Sequence, residues 1–160
     1  MKGYSDSDWG GDISTRRSTS GYIFLLNNNI TSWCSSLQKT VALSSCEAEY
    51  MGTKEAIKEN IYLYNVITEI NKVLNLNLIN DNYIPILLLD NQSSMKLAEN
   101  AEFHKRTKHI DIQYHFIREC VENNKVRIGY IPTNDQLADG LTKGFNSIKQ
   151  KQFVKILNLV

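Results

Sequence analysis

The sequence carries almost no net charge. Eighteen Lys and Arg stand against 17 Asp and Glu, a net +1, so composition alone announces no polyanionic partner. Cysteine is scarce and odd in number: Cys34, Cys46 and Cys120. They form no disulfide framework, and reduced thiols without a disulfide partner are expected. There is no C-x-x-C, and His104, His109, His115 and Cys120 follow at intervals of five, six and five, which match no paired zinc-ligand pattern. No run of 18 apolar residues is present, so no membrane helix is expected. Residues 1–6 lack the charged-then-apolar order of a secretory signal. An intracellular, cytoplasmic protein with no membrane partner follows as the expectation. Proline is confined to Pro85 and Pro132, and no Pro/Gly/Ser-rich linker or solenoid-length repeat divides the chain.

What is present suits one globular domain. The 160 residues are 42% hydrophobic. A chain of this size buries roughly 70% of its unfolded surface and needs no metal or disulfide staple to fold. Seventeen asparagines cluster at turns such as Asn27-Asn28-Asn29 and Asn123-Asn124, where their side chains bond local backbone and tolerate positive φ. Residues 3–8, 21–26 and 30–35 read as strands, the last two as a hairpin across the asparagines. Ser44 with Glu47 is a capping box opening a helix from 45 to about 73. Residues 84–89, a continuous apolar run, read as a strand buried on both faces. Helices follow at 91 to about 99 and 109 to about 122, then a strand at 126–131, a short helix at 135–141 and a helix at 146–157. Three consecutive strands, then strand–helix alternation, predict a mixed α/β sheet covered by helices.

Four carboxylates stand out in this order. Asp90 ends the most apolar strand, where open α/β sheets bind ligands; it reads equally as the N-cap of the next helix. Asp6 lies inside a strand, where aspartate is depleted; Asp6 and Asp8 would share one face, and a strand-end reading stays open for both. Glu47 and Glu49 point roughly 200° apart on the helix. Glu47 serves the capping box, which leaves Glu49 to face the sheet. Asp139 lies in a late short helix and reads alternatively as a solvated surface acid. Converging carboxylates are what two-metal phosphoryl hydrolysis requires, and Mg²⁺ prefers oxygen ligands.

Longer motifs carry a family resemblance. Tyr4-Ser5-Asp6-Ser7-Asp8-Trp9-Gly10-Gly11-Asp12 is followed by Arg17-Ser18-Thr19-Ser20-Gly21-Tyr22-Ile23-Phe24 and Val41-Ala42-Leu43-Ser44-Ser45-Cys46-Glu47-Ala48-Glu49-Tyr50. Then come Asp90-Asn91-Gln92, Arg106-Thr107-Lys108-His109-Ile110-Asp111-Ile112 with Tyr114-His115-Phe116, and Gln136-Leu137-Ala138-Asp139 with Leu141-Thr142-Lys143. In this order they resemble the RNase H domain of copia-type LTR retrotransposon Pol polyproteins. The resemblance spans residues 3–145, expected as one RNase H-like domain, with 146–160 its C-terminal helical tail. It implies a ribonuclease H-like α/β fold: a five-stranded mixed sheet, the first three strands antiparallel, flanked by helices. It implies cleavage of the RNA strand of RNA–DNA hybrids during reverse transcription. The family's metal ligands fall on Asp6, Glu49, Asp90 and Asp139, with Asp8 as the alternate first ligand. They would hold two Mg²⁺, or Mn²⁺ in their place. A reverse transcriptase domain upstream in a parent polyprotein, and a place within a retrotransposon particle, are implied as well. The loop Ile131-Pro132-Thr133-Asn134 has none of the histidine that many relatives carry there.

An A-like hybrid is read through backbone shape and 2′-hydroxyls, for which uncharged donors serve. Asn91, Gln92 and Ser93 would open a helix toward phosphate. Gly10 and Gly11 would permit close backbone approach. Arg17 and Lys108 sit in the two local basic clusters, which read equally as solvated loops. Trp9 could stack on nucleotides, whereas core or hairpin packing is the expectation for Trp33. Two other readings remain at this point: a degenerate, non-enzymatic nucleic-acid-binding remnant, and an integrase-type core, whose acidic set ends in Glu rather than Asp. If four acids serve metal ions, the near-zero net charge ceases to argue against a nucleic-acid partner.

Overall fold

The computed structural model describes residues 1–80, 82–91 and 108–159; the side chains of 108–113 fall outside that description. Strand β1 (Lys2–Ser7) occupies the centre of a five-stranded sheet ordered β3-β2-β1-β4-β5. It pairs antiparallel with β2 (Thr19–Leu26), which pairs antiparallel with β3 (Asn29–Leu37). On its other side β1 runs parallel to β4 (Ile86–Leu89), itself parallel to β5 (Arg127–Tyr130). This is the five-stranded mixed sheet that the sequence pattern implies.

The β2–β3 hairpin turns on Asn27 and Asn28, both at positive φ (50° and 63°). That is the backbone of a two-residue turn matching strand twist, and asparagine tolerates it. Helix α1 (Ser45–Leu74) starts as its capping box predicts. The Ser44 side chain accepts from the Glu47 N–H, and Glu47 reaches back to the Leu43 N–H at 2.7 Å. It ends at Asn75, again left-handed at φ 51°. Helix α2 (Lys108–Glu122) packs beside α1. The helix expected at 91–99 lies, from residue 92 on, outside the described residues.

Two apolar layers result. Phe24, Ile57, Leu87, Leu89, Ile117 and Val126 fill the space between sheet and the α1/α2 pair. On the opposite face Tyr4, Ile23 and Leu25 meet Ala138 and Leu157, from the segment holding α3 (Asp139–Thr142) and α4 (Ser147–Ile156).

Three local expectations need correction. The strand at 84–89 begins only at Ile86, because Pro85 has no N–H for the ladder. The single helix expected at 135–141 is a 3₁₀ turn (Thr133–Asp135) and then α3. Gln136, extended at φ −72°, ψ 103°, separates them. Its buried amide donates to Ser5 O at 3.0 Å and accepts from Ala138 N–H at 3.2 Å. Those bonds fix the backbone against continuing a helix. Trp33, expected to pack in the core or the hairpin, is 64% exposed on the edge strand β3.

Candidate active site

The site lies at the C-terminal end of β1 and β4. Asp6 is the penultimate residue of β1 and only 1% exposed. It faces Gly21 on β2, where a Cβ would come within 2.8 Å of Leu141 and 2.9 Å of Thr142. The missing side chain therefore lets α3 lie down on the sheet beside Asp6. Asp90 directly follows β4, the parallel neighbour of β1. Glu49 comes from the first turns of α1 and takes a hydrogen bond from the Ser7 backbone N–H. Gly52, one turn further, admits α1 to this position: a Cβ there would stand 2.3 Å from Ser7 Oγ.

Asp6, Glu49 and Asp90 each bring one carboxylate oxygen within 4.8 Å of the others. Burial, then the charges of Asp6 and Asp90, push Glu49 up to about 9. Burial also raises Asp6 above the ordinary aspartate value, against the pull of Thr142 and Lys143. Three converging acids that repel one another, all with oxygen donors, fit a hard divalent cation such as Mg²⁺. The fit rests on that donor set and on the mutual repulsion of the three carboxylates.

Asp139, the first residue of α3, is buried next to this group. Lys143 Nζ joins the two, at 2.8 Å from Asp139 Oδ1 and 3.3 Å from Asp6 Oδ1. Burial works against the ammonium, but the bond to Asp139 and the charges of Asp6 and Asp139 outweigh it, so Lys143 is held above the usual lysine value. Thr142 Oγ1 donates to Asp6 Oδ2. Lys149 stands 3.7 Å from Asp139 Oδ2. All four acids of the sequence pattern thus lie around one strand end.

The other nominated residues are placed as follows. Asp8 lies beyond the end of β1, and its Oδ1 accepts from Thr19 N–H at 2.8 Å and Gly11 N–H at 3.2 Å. It closes the β1–β2 loop. Gly10, at φ 63°, gives its N–H to Ser18 Oγ, and Gly11 leaves room for the Asp8 carboxylate. The Gly10 and Gly11 amides are therefore engaged within the loop. Arg17 bonds Thr15 Oγ1 through Nε. Trp9, 60% exposed, donates to Ala42 O from its indole. Asn91 follows Asp90; Gln92 and Ser93 lie outside the described residues, as does the Lys108 side chain. Thr142, Lys143 and Gly52 carried no role in the sequence reading. The four-residue step from Asp139 to Lys143, an ion-pair spacing on a helix, was the available signal.

Sheet order, helix placement and buried acids define a ribonuclease H-like fold, and comparison with known proteins agrees. The N-terminal RNase H domain of a Mycobacterium tuberculosis protein superposes with a TM-score of 0.58 at 10% identity, covering 96% of this chain and 94% of that one. LC11-RNase H1 in complex with RNA/DNA hybrid gives 0.58 at 12% identity, over 88% and 91%. No protein-family model matches the chain. Its homologues are retrovirus-related Pol polyproteins from copia-type transposons. The polyprotein of transposon TNT 1-94 from Nicotiana tabacum is 43% identical over 89% of this chain, and that of transposon RE2 from Arabidopsis thaliana 36% identical over 100%. The chain spans about a tenth of the length of these curated relatives.

Proposed function

We propose that this chain is a divalent-metal-dependent endonuclease that hydrolyses the RNA strand of RNA–DNA hybrids. The observation that carries the reading is the convergence of Asp6, Glu49 and Asp90 within 4.8 Å at the end of the central strands. A bound Mg²⁺ supplies Lewis-acid stabilisation of the charge that develops on the phosphate. Asp6, Glu49 and Asp90 would hold it, with Mn²⁺ able to serve in its place. Asp139, joined to Asp6 through Lys143, would provide a ligand for a second ion. Thr142 fixes the orientation of the Asp6 carboxylate, and Gln136 locks the segment carrying Asp139 to β1 and β4.

A groove of about 490 Å³ runs from Ser20 past Gln38, Lys39, Thr40 and Lys54. Ser20 bonds Ser7, the residue after Asp6. The Lys39, Lys54 and Lys58 ammoniums line this groove with Glu55, to which Lys54 and Lys58 are paired at 3.1 Å, and could turn to a sugar–phosphate backbone. The relatives' names support a place for this domain in a retrotransposon Pol polyprotein; a reverse transcriptase domain elsewhere in the same chain is the partner we propose.

The test is incubation of the purified chain and Mg²⁺ with labelled RNA, presented alone, in an RNA duplex and in an RNA–DNA hybrid. Cleavage confined to the hybrid and abolished by chelator is expected. An intact hybrid under these conditions contradicts the reading.

A further inference from the structure

Lys143 touches both Asp6 and Asp139, and metal-assisted hydrolysis assigns it nothing. Its ion pairs fall on Asp6 and Asp139, whose shared space lies beside the Asp6–Glu49–Asp90 group. Both carboxylates are nearly inaccessible, at 1% and 4% of their side-chain surface, whereas the lysine side chain is 45% exposed. The ammonium therefore reaches in from solvent along a flexible four-carbon stem. Its backbone is fixed, with the Lys143 N–H bonded to Asp139 O at 2.9 Å. The side chain can swing out without unpacking α3.

We propose that Lys143 is a built-in cation that fills the space between Asp6 and Asp139. The free protein then takes one divalent ion, at Asp6, Glu49 and Asp90, and a second between Asp6 and Asp139 only once the lysine has withdrawn. This rests on the metal reading above. The physical reason is simple exclusion. An ammonium 2.8 Å from one carboxylate and 3.3 Å from the other occupies the volume a dication needs there and repels it at contact distance. While the site waits for substrate, the same ammonium offsets part of the charge of two buried acids, of which Asp139 also has Lys149 at 3.7 Å. Lys143 is thus a positioning residue that sets the order of ion binding.

The test is Mn²⁺ binding to the full chain without nucleic acid, followed by calorimetry and by the electron spin resonance signal of paired Mn²⁺ ions. Wild type is expected to bind one ion. Lys143→Met is expected to bind two, with the second dissociation constant lowered at least about tenfold, since a unit charge at contact distance outweighs one power of ten near a protein surface. Lys143→Arg restores one ion, and Asp139→Asn in the Lys143→Met background removes the second again. Lys143→Gln replaces the Met variant if the latter does not fold. Identical stoichiometry and affinity in wild type and the folded Met or Gln variant overturn the proposal while leaving the metal site standing. Absence of Mn²⁺ binding to wild type and variants alike overturns the metal reading and this inference with it.

Discussion

Gly52 of α1 lies directly against Ser7 of β1, close enough that a Cβ would stand 2.3 Å from the serine Oγ. That contact sets the depth to which α1 sinks onto the sheet, and Glu49 rides on the same helix one turn earlier.

Gly52→Ala should therefore lift the N-terminal turns of α1. The overpacking costs about 1–3 kcal/mol of stability, measured by urea denaturation. It should also weaken divalent-ion binding, because Glu49 moves away from Asp6 and Asp90. Unchanged stability and ion affinity would show that the helix accommodates the methyl elsewhere.

Glu49 makes stability pH-dependent. Its pKa in the fold is about 9 against an ordinary 4.5. Between those values the folded state keeps a proton that the unfolded state has released. Metal-free stability therefore falls as pH rises through that window. A bound dication favours the charged carboxylate, so metal affinity should rise with pH and binding near neutrality should release a proton. Denaturation midpoints across the window, with and without Mg²⁺, check this. Glu49→Gln should flatten the metal-free profile; a profile equally steep in the variant would assign the effect to another group.

Thr142→Val removes the hydroxyl that orients Asp6 but keeps the shape of the side chain. Metal affinity or cleavage should drop about 10- to 100-fold, the usual scale for losing a partner of a metal ligand. Thermal melting in Mg²⁺ should fall where metal affinity is lost, because the bound ion stabilises the fold in proportion to its affinity. Equal activity would mean that Asp6 is held by Lys143 and burial alone.

Gln136→Leu leaves Ser5 O and the Ala138 N–H without the partner that now satisfies them. A loss of about 1–3 kcal/mol in stability is expected. A neutral result in urea denaturation would show that the segment is fixed by Ala138 and Leu157 packing instead.

Much of this was legible in the sequence. Ser44 and Glu47 marked the start of α1, the asparagines marked the β2–β3 turn, and the apolar run before Asp90 marked β4. Asp6 could be nominated because aspartate is depleted in strands, Asp90 because it ends the most apolar strand, and Glu49 because Glu47 already serves the capping box; Asp139 had no such signal of its own. What stayed hidden was tertiary. Gln136 interrupts a helix through bonds to strands far away in sequence. Gly21 and Gly52 matter only for what approaches them. Asp8 read as the alternate to Asp6 for the first ligand, whereas the fold turns it to the backbone of Gly11 and Thr19. Trp33 sat in a hairpin that proved to be a sheet edge.

Metal-dependent hydrolysis of a hybrid is the activity proposed for the acids around the end of β1. The direct measurement is the Mg²⁺-dependent cleavage rate of an RNA–DNA hybrid with labelled RNA, compared between wild type and Asp6→Asn, alongside hybrid binding by both. The account predicts a loss of at least about a hundredfold, the scale of losing one preorganised electrostatic partner, with hybrid binding retained. Equal Mg²⁺-dependent cleavage by wild type and Asp6→Asn would contradict it.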